Sequence, residues 1–337
     1  MSLQQKKYAF SLLSVIVIIL AVGIGSVYIT PSESVQIVIS KLSRKPTSID
    51  PIKVGIIWNM RLPRVLLAFM VGALLSVSGT VMQSVLKNPL ASSYTLGVSS
   101  GAALGVALVV FSGISATFLG SFTLPIIGAT FGILTVVIAV TFASKIDKNM
   151  LNQTIILIGM VFSLFINAIL TLLYALSGDT LEKMVRWQMG SFSLKDWSFV
   201  FVLFPITFVG IGILLLFSRE LDNLTFGEDA AFVVGINVKK VKWLLLSVSA
   251  ALTSCAVALV GIIGFIDLIA PHVTRKIFGS SHRHVLPMSA VLGGTFMVIA
   301  DVIARTIASP SELPIGAVTA IIGAPFFLSV YFKRRGK

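Results

Sequence analysis

Charged residues are scarce in this chain. Only 12% of its 337 residues are Asp, Glu, Lys or Arg, whereas 56% are hydrophobic. Soluble globular proteins carry about 25% charged residues, which keep their surfaces hydrated. The deficit leaves no stretch with the composition of a soluble domain, and it predicts a protein that lies in a membrane.

Other shortages exclude several chemistries. The single cysteine, Cys255, cannot form a disulfide within the chain, and we expect a small packed thiol. The sequence contains no G-x-x-x-x-G-K-[ST] phosphate loop, no H-E-x-x-H and no pair of cysteine clusters. We therefore expect no ATP hydrolysis by this chain alone, no metal site, no cofactor and no enzyme activity. His282 and His284 form an H-x-H in a basic loop, where we expect both to be solvated.

What the chain has in abundance is apolar stretches. A spanning helix needs roughly 20 mostly apolar residues, because hydrocarbon offers backbone N–H and C=O groups no hydrogen-bond partner. The sequence predicts an all-α, polytopic integral membrane protein with about ten transmembrane helices in one domain, residues 1–337, surrounded by membrane lipid. The runs are Tyr8 to Thr30, Leu62 to Leu86, Thr95 to Phe111, Phe122 to Ser144, Gln153 to Leu176, Trp197 to Ser218, Val241 to Ile263, Gly264 to Phe278, Leu286 to Ile307 and Pro314 to Phe332.

The net charge of +13 is distributed unevenly. If ten helices alternate, most basic clusters between the runs face one side, which the positive-inside rule assigns to the cytoplasm. This distribution predicts two cytoplasmic termini and argues against a nucleic-acid partner. The clusters are Lys6 and Lys7; Lys145 and Lys148; Arg219, Lys239, Lys240 and Lys242; Arg275, Lys276 and Arg283; and Lys333, Arg334, Arg335 and Lys337.

Charged groups inside apolar runs are expensive and usually face a cavity or a partner. Asp301 and Arg305 lie four residues apart and are expected to pair along one helix face. Arg61 and Arg64 flank Pro63 at the external start of the second run. Two readings stay open for these arginines: snorkelling side chains at a membrane interface, or an exposed basic docking point for an acidic partner.

A polar segment interrupts the apolar runs at residues 219–240. Its sequence, R-E-L-D-N-L-T-F-G-E-D-A-A-F-V-V-G-I-N-V-K-K, predicts a helix over Glu228 to Val234 closed by Gly235, with a second helix beginning after the N-cap Asn237. Such a helix–glycine–helix unit suits insertion into a groove of another protein. An ordinary connecting loop is the alternative.

Small residues recur at helical spacing inside the runs. They predict places where two helices approach closely, as in packed transmembrane bundles. The two series are Gly72, Ser76 and Gly79, and Gly97, Gly101 and Gly105.

A series of motifs resembles one known family. The motifs are R-L-P-R at Arg61 to Arg64, S-G-T-V-M-Q at Ser78 to Gln83, N-P-L-A at Asn88 to Ala91, L-G-V-S-S-G-A at Leu96 to Ala102, G-F-I-D-L-I-A-P-H at Gly264 to His272, H-R-H-V-L-P at His282 to Pro287, A-D-V-I-A-R at Ala300 to Arg305, and E-L-P-I-G-A-V-T-A-I-I-G-A-P-F-F at Glu312 to Phe327. They closely resemble the FecCD family, the permease subunits of ABC importers for iron-siderophores, haem and vitamin B12.

The resemblance implies a type II ABC importer permease fold in a bacterial cytoplasmic membrane. It also implies three kinds of partner: a second permease subunit, two ATP-binding cassette ATPase subunits and a substrate-binding protein or lipoprotein. Carried onto matching positions, it implies three groups of functional residues. Arg61, Arg64 and Arg305 resemble the docking sites for the binding protein; Gly227, Glu228, Ala230 and Gly235 the ATPase-coupling helices; and Asn88, Leu90, Asn152 and Gln153 the cytoplasmic gate.

Two positions depart from the family pattern. Asp267 stands where the family usually has glycine, and Ser281 where it usually has aspartate. Asp267 also supports a rival hypothesis, an ion-coupled secondary transporter in which Asp267 and Asp301 carry the coupling charge. The resemblance favours the importer, with an iron-siderophore as first expectation for the substrate and haem or cobalamin as alternatives.

Overall fold

The chain forms a bundle of helices. The computed structural model describes residues 2–46, 48–113, 120–147 and 150–332, with no strand among them. Lys148 and residues 333–337, which contributed to the predicted charge asymmetry, lie outside this range. The helices are α1 (Leu3–Gly23), α2 (Pro31–Ser43), α3 (Pro51–Gly55), α4 (Leu62–Val85), α5 (Val98–Phe111), α6 (Thr123–Ile146), α7 (Asn152–Leu176), α8 (Leu181–Met189), α9 (Trp197–Leu216), α10 (Ser218–Phe226), α11 (Glu228–Val233), α12 (Val238–Val260), α13 (Ile266–Phe278), α14 (His282–Thr306) and α15 (Ile315–Phe332).

The prediction of an all-helical membrane protein is confirmed. In the part of the chain that the structure describes, 7 helical segments are long and apolar enough to span a bilayer: Leu3–Gly23, Pro51–Val85, Gly120–Ile146, Asn152–Leu176, Trp197–Leu216, Val238–Val260 and His282–Thr306. Two further apolar helical segments, Val98–Phe111 and Ile315–Leu328, are shorter. The helix α13 has only 13 residues and follows non-helical backbone at residues 261–264. The count of ten spans stays a prediction.

Local sequence fixes where several helices begin. Ser2 and Gln5 form a capping box at the start of α1, and Thr30 and Glu33 form one at the start of α2. Glu33 also accepts a hydrogen bond from Lys53 Nζ at 2.6 Å, which lowers the pKa of this carboxyl to about 2, with further help from Thr30. The contact between Glu33 and Lys53 joins α2 to α3 within the connection between α1 and α4.

A π-helical turn at Ile56–Arg61 leads into α4. Pro63, in the first turn of α4, has no N–H to donate and its ring crowds the carbonyl four residues earlier. The backbone accommodates this by widening into a π turn, a feature that often occurs next to functional residues. Arg61 is the last residue of the turn.

The helix α4 lies at the centre of the bundle. Nearly all of its residues are buried, and it packs against α9, α12, α13 and α14. A Cβ on Gly72 would collide with the carbonyl of Gly293 in α14, and a Cβ on Gly79 would collide with the backbone of Asp267 in α13. The predicted close contacts of α4 are therefore confirmed, and glycine is needed at both positions because the backbones touch.

The second small-residue series has the same role in α5. A Cβ on Gly101 would meet Thr135 and the carbonyl of Phe131, and a Cβ on Gly105 would meet the ring of Phe131. Both partners lie on α6, so this prediction is also confirmed.

Replacement of Gly79 by alanine tests the central packing. We expect Gly79→Ala to lower the free energy of unfolding by about 1–3 kcal/mol, because α4 and α13 must separate to admit the methyl group. The measurement is denaturant unfolding of the detergent-solubilised protein. Gly212→Ala in α9 is the matched control, since nothing lies within 4 Å of a Cβ there. Equal stability of the two variants would contradict this account of the packing.

Candidate functional site

Polar side chains gather at the two ends of the bundle. Arg61 and Arg64 lie where α4 begins, and Asn88 follows its end. The 24 residues of α4 separate these points by about 36 Å. We call the first the arginine end and the second, which also carries α10 and α11, the coupling end.

At the arginine end, Arg64 bridges two carboxylates. Its Nη2 donates to Asp301 Oδ1 at 2.8 Å and its Nη1 donates to Glu312 Oε1 at 2.6 Å. Asp301 is almost fully buried and also faces Arg305, with 3.7 Å between Arg305 Nε and Asp301 Oδ2. The predicted pairing of Asp301 with Arg305 is confirmed, but Arg64 is the nearer partner, which sequence spacing could not reveal.

Arg61 and Arg305 both cap the end of α1. Arg61 Nη1 donates to the carbonyl of Gly23 at 2.7 Å, and Arg305 Nη2 donates to the carbonyl of Ala21 at 2.6 Å. The last carbonyls of a helix lack partners within the helix, so the two guanidinium groups satisfy acceptors that would otherwise be buried unpaired. Only 7% of Arg61 and 9% of Arg305 is exposed. The structure thus brings all three sequence-predicted arginines together, with their side chains turned inward.

A cavity of about 540 Å³ opens beside these arginines. Lys195 and Asp196, from the loop before α9, line it together with Arg64 and Glu312. Burial lowers the pKa of Lys195, and the neighbouring Asp196 acts in the opposite direction. The cavity wall therefore carries charges of both signs.

Asp301 is the residue on which the arginine end depends. We expect Asp301→Asn, which keeps the shape of the side chain and removes its charge, to lower the free energy of unfolding by about 3 kcal/mol. Arg64 and Arg305 would then share a buried site without their common counter-ion. Denaturant titration in detergent measures this change. Glu312→Gln is the control and should cost about 1 kcal/mol or less, because Glu312 is one third exposed. A loss for Asp301→Asn no larger than that of the control would refute this role.

At the coupling end, α11 and α12 form the predicted helix–glycine–helix unit around Gly235, and two short helices, α10 and α11, follow each other in the chain. Gly227 joins them with φ 142°, and Gly235 follows α11 with φ 83°, both in the region that favours glycine. Asn237 caps the next helix as predicted, with its Oδ1 accepting from Lys240 N at 3.1 Å. The predicted helix after Asn237 is the long α12 and not a short piece, and α10, before Gly227, was not predicted from the sequence. Ala230 lies within α11.

Large apolar side chains are exposed on this segment. Phe226 is 82% exposed, Phe232 75% and Val233 84%, whereas Ala231 is the buried residue of α11. The three exposed side chains, which we call the apolar patch, belong to the polar segment between the apolar spans. Exposed apolar side chains in such a place are of the kind that marks a protein interface.

A buried lysine connects α11 to the gate region. Lys242 Nζ donates to Glu228 Oε1 at 2.6 Å, to Asn152 Oδ1 at 2.7 Å and to the carbonyl of Met150 at 3.0 Å. Sequence reasoning treated Lys242 only as a cytoplasmic charge and missed this role, because its partners lie 14 to 92 residues away. Glu228 points toward the bundle through this contact.

The other residues that the resemblance assigns to a gate lie at the same end. Asn88 Oδ1 accepts from Leu90 N at 2.9 Å and so closes a turn, while Leu90 is 47% exposed. Asn88 also lines a cavity of about 280 Å³ together with Thr225 of α10 and Arg275 of α13. Gln153 is exposed at the start of α7. Two of the sequence-predicted gate residues, Asn88 and Asn152, therefore lie beside parts of the α10–α11 segment.

The expectation of a solvated His282 was wrong. His282 is buried, with Nδ1 2.6 Å from Asp222 Oδ1 and Nε2 2.6 Å from Ser84 Oγ. The acidic partner is 60 residues away in the sequence, on α10, so the local sequence gave no sign of it. Ser281, where the family usually has aspartate, donates to the same Asp222 at 3.2 Å. His284 contacts Lys7 instead, at 2.7 Å.

Asp267 is buried at the start of α13, where its backbone meets Gly79 and its carbonyl accepts from Gln83 Nε2 at 3.3 Å. No group of three or more His, Cys, Asp or Glu side chains within the described ranges is placed to hold a metal ion.

A multi-helix bundle with polar networks at its two ends can serve a membrane transport protein, but fold alone does not determine function. Comparison with known proteins gives the family: residues 12–333 match the model of the FecCD transport family. The chain is 37% identical to the molybdate import system permease protein MolB of Haemophilus influenzae, covering 98% of this chain and 96% of that protein. It is 38% identical to the hemin transport system permease protein HmuU of Yersinia pestis, covering 83% of this chain and 84% of that protein.

A solved structure agrees over nearly the same length. It is an ABC transporter assigned to the metal-chelate type, in an inward-facing conformation, with TM-score 0.85 and 33% identity over 98% of this chain and 99% of that one. The chain belongs to the FecCD transport family, as its motifs predicted. It is therefore an ABC transporter permease, a multi-pass membrane transport protein rather than an enzyme, and the family implies ATPase and substrate-binding partners and dimerisation.

Proposed function

We propose that this chain is the permease subunit of an importer that carries an iron chelate across the bacterial cytoplasmic membrane. Two copies, or this chain and a related one, would enclose the pathway, with two ATPase subunits at the coupling end and a binding protein at the arginine end. The α10–α11 segment is the observation that carries this proposal, because it exposes an apolar patch, shares a cavity with Asn88 through Thr225 and is joined to Asn152 through Glu228 and Lys242.

The coupling end is then cytoplasmic, and both termini lie on that side. Lys7 of α1 contacts His284 at the coupling end. The helix α15 begins near the arginine end, where Leu313 N donates to the carbonyl of Ala304, and therefore runs toward the coupling end. The basic residues around α10 and α11 agree with this orientation.

An iron-siderophore is our first choice of substrate, with haem and cobalamin as alternatives. Similar permeases are named for hemin, Fe(3+)-citrate and cobalamin, which are bulky metal complexes, and one is named for molybdate. The ion-coupled alternative requires a carboxylate that can exchange its ion. Asp301 does not meet this requirement, because Arg64 and Arg305 neutralise it.

Transport requires two alternative packings of the bundle. Nucleotide binding by the ATPase subunits would favour one packing, and the α10–α11 segment would transmit that preference to the helices lining the pathway. No covalent chemistry on the substrate is needed.

Reconstituted uptake tests this function. We expect proteoliposomes containing the chain, its ATPase and its binding protein to accumulate a ⁵⁵Fe-labelled siderophore only when ATP is hydrolysed. Haem, cobalamin, ferric citrate and molybdate are tested as competing substrates, and the siderophore should be taken up in preference to each of them. Ionophores that collapse proton and sodium gradients should leave uptake unchanged. Uptake without the ATPase would contradict the proposal of an ATP-driven importer. Preferred uptake of one of the competing substrates would change only the proposed substrate.

The apolar patch gives a separate test of the ATPase contact. We expect Phe232→Ser to reduce co-purification of the ATPase by roughly tenfold, because the ring is a candidate anchor in the partner's groove and such anchors contribute about 2 kcal/mol each. Leu42→Ser is the control, since Leu42 is 72% exposed on α2, far from the coupling end. Equal recovery of the ATPase with both variants would rule out the apolar patch as the contact with the ATPase.

Docking of the binding protein at the arginine end fits the chemistry of Arg64. Glu312 is the more exposed of its two carboxylate partners, with 33% of the side chain exposed against 1% for Asp301. An acidic side chain of the binding protein could replace Glu312 at Arg64 without disturbing the buried pair. Arg61 and Arg305 would hold the end of α1 beside this contact.

A further inference from the structure

We propose that Lys242 is a positioning residue that makes α11 and the start of α7 move as one unit, so that displacement of the coupling segment reaches the gate. This inference rests on the proposed coupling role of α10 and α11. It assigns to Glu228 a contact inside the permease in addition to any contact with the ATPase.

The ammonium group of Lys242 uses all of its hydrogen-bonding capacity. An ammonium group has three hydrogens to donate, and here it has three acceptors, one on α11, one on α7 and one in the turn before α7. The side chain is only 1% exposed. Lysine is almost never fully buried unless it is paired, so this arrangement ties three chain segments to one charge.

The backbone just before α7 is shaped to meet Lys242. Met150 is a buried non-glycine residue with φ 51°, a left-handed conformation that such residues adopt rarely. Its carbonyl accepts from Lys242, and its N–H donates to the carbonyl of Asp147 at 3.0 Å. Met150 thus adopts an uncommon conformation in which its carbonyl meets the ammonium group.

Apart from the Glu228 contact, α11 is attached to the bundle mainly through its neighbours in the chain. This helix has one buried residue, Ala231, and its main neighbours are α10 and α12. The preceding helix α10 is held to a different part of the bundle, through Asp222 and His282 of α14. Gly227 joins the two helices in a glycine-type conformation with nothing closer than 4.0 Å to a Cβ. A hinge there would let α11 follow α7 while α10 follows α14.

The test uses the complete transporter, with ATPase and binding protein, in proteoliposomes. Lys242→Met keeps the length of the side chain and removes its charge. We expect this variant to assemble and hydrolyse ATP while the amount of chelate imported per ATP falls by roughly tenfold, a coupling loss of ordinary size. Lys145→Met is the matched control, because Lys145 is an exposed lysine at the same end, in the last turn of α6. It should keep the wild-type ratio.

Two milder variants make the test independent of folding. Glu228→Gln and Asn152→Ala each remove one partner, and each should lower the import per ATP. The double variant Glu228→Gln with Lys242→Met should be no worse than Lys242→Met alone, because both act through one contact. A lysine that only stabilises the fold would lower the unfolding temperature and leave the ratio intact. An intact ratio in Lys242→Met overturns the inference. If Lys242→Met fails to assemble, an intact ratio in both milder variants overturns it.

The wild-type complex separates this inference from the proposed function. If the wild type imports without ATP, the importer itself is wrong. If the wild type is driven by ATP and the variants remain fully coupled, only the role of Lys242 falls.

Discussion

The structure depends on one constraint: hydrocarbon supplies no hydrogen-bond partner, so each polar group of the bundle must find one within the protein. The central helix α4 meets this constraint with close backbone packing, made possible by Gly72 and Gly79. Arg64 and Lys242 are held at opposite ends of the bundle, where each has specific partners. Arg64 is neutralised by Asp301 and Glu312, and Lys242 by Glu228.

These buried charges give the two ends different properties. At the arginine end, Arg61 and Arg305 hold the last turn of α1, and Arg64 and Arg305 share Asp301, so the surface proposed for a binding protein rests on a fixed base. At the coupling end, two separate contacts fasten α10 and α11 to different helices. A glycine joins the two. These differences agree with the proposed roles, docking at the arginine end and relative movement at the coupling end.

The sequence predicts the helical membrane fold well, because composition and run length follow directly from the bilayer. Its motifs predict the family, and its glycine spacing predicts the close contacts of α4. The partners of Arg64, Lys242 and His282 could not be predicted, since each pairs with a residue on a distant segment. His282 shows the limit clearly: a basic H-x-H loop indicates solvent, but Asp222 on α10 makes it a buried contact.

The central claim is that α11 and the start of α7 form one moving unit at the coupling end. Spin labels at Asp229 and Gln153, in a Cys255→Ser background diluted with unlabelled subunits, measure the distance between them in the assembled transporter. A second pair at Asp229 and Lys276 reports movement relative to α13. We expect trapping with ATP to change the Asp229–Lys276 distance and to leave the Asp229–Gln153 distance unchanged. In Lys242→Met, the Asp229–Gln153 distance should change as well. A change of similar size in both distances in the wild type would contradict the account.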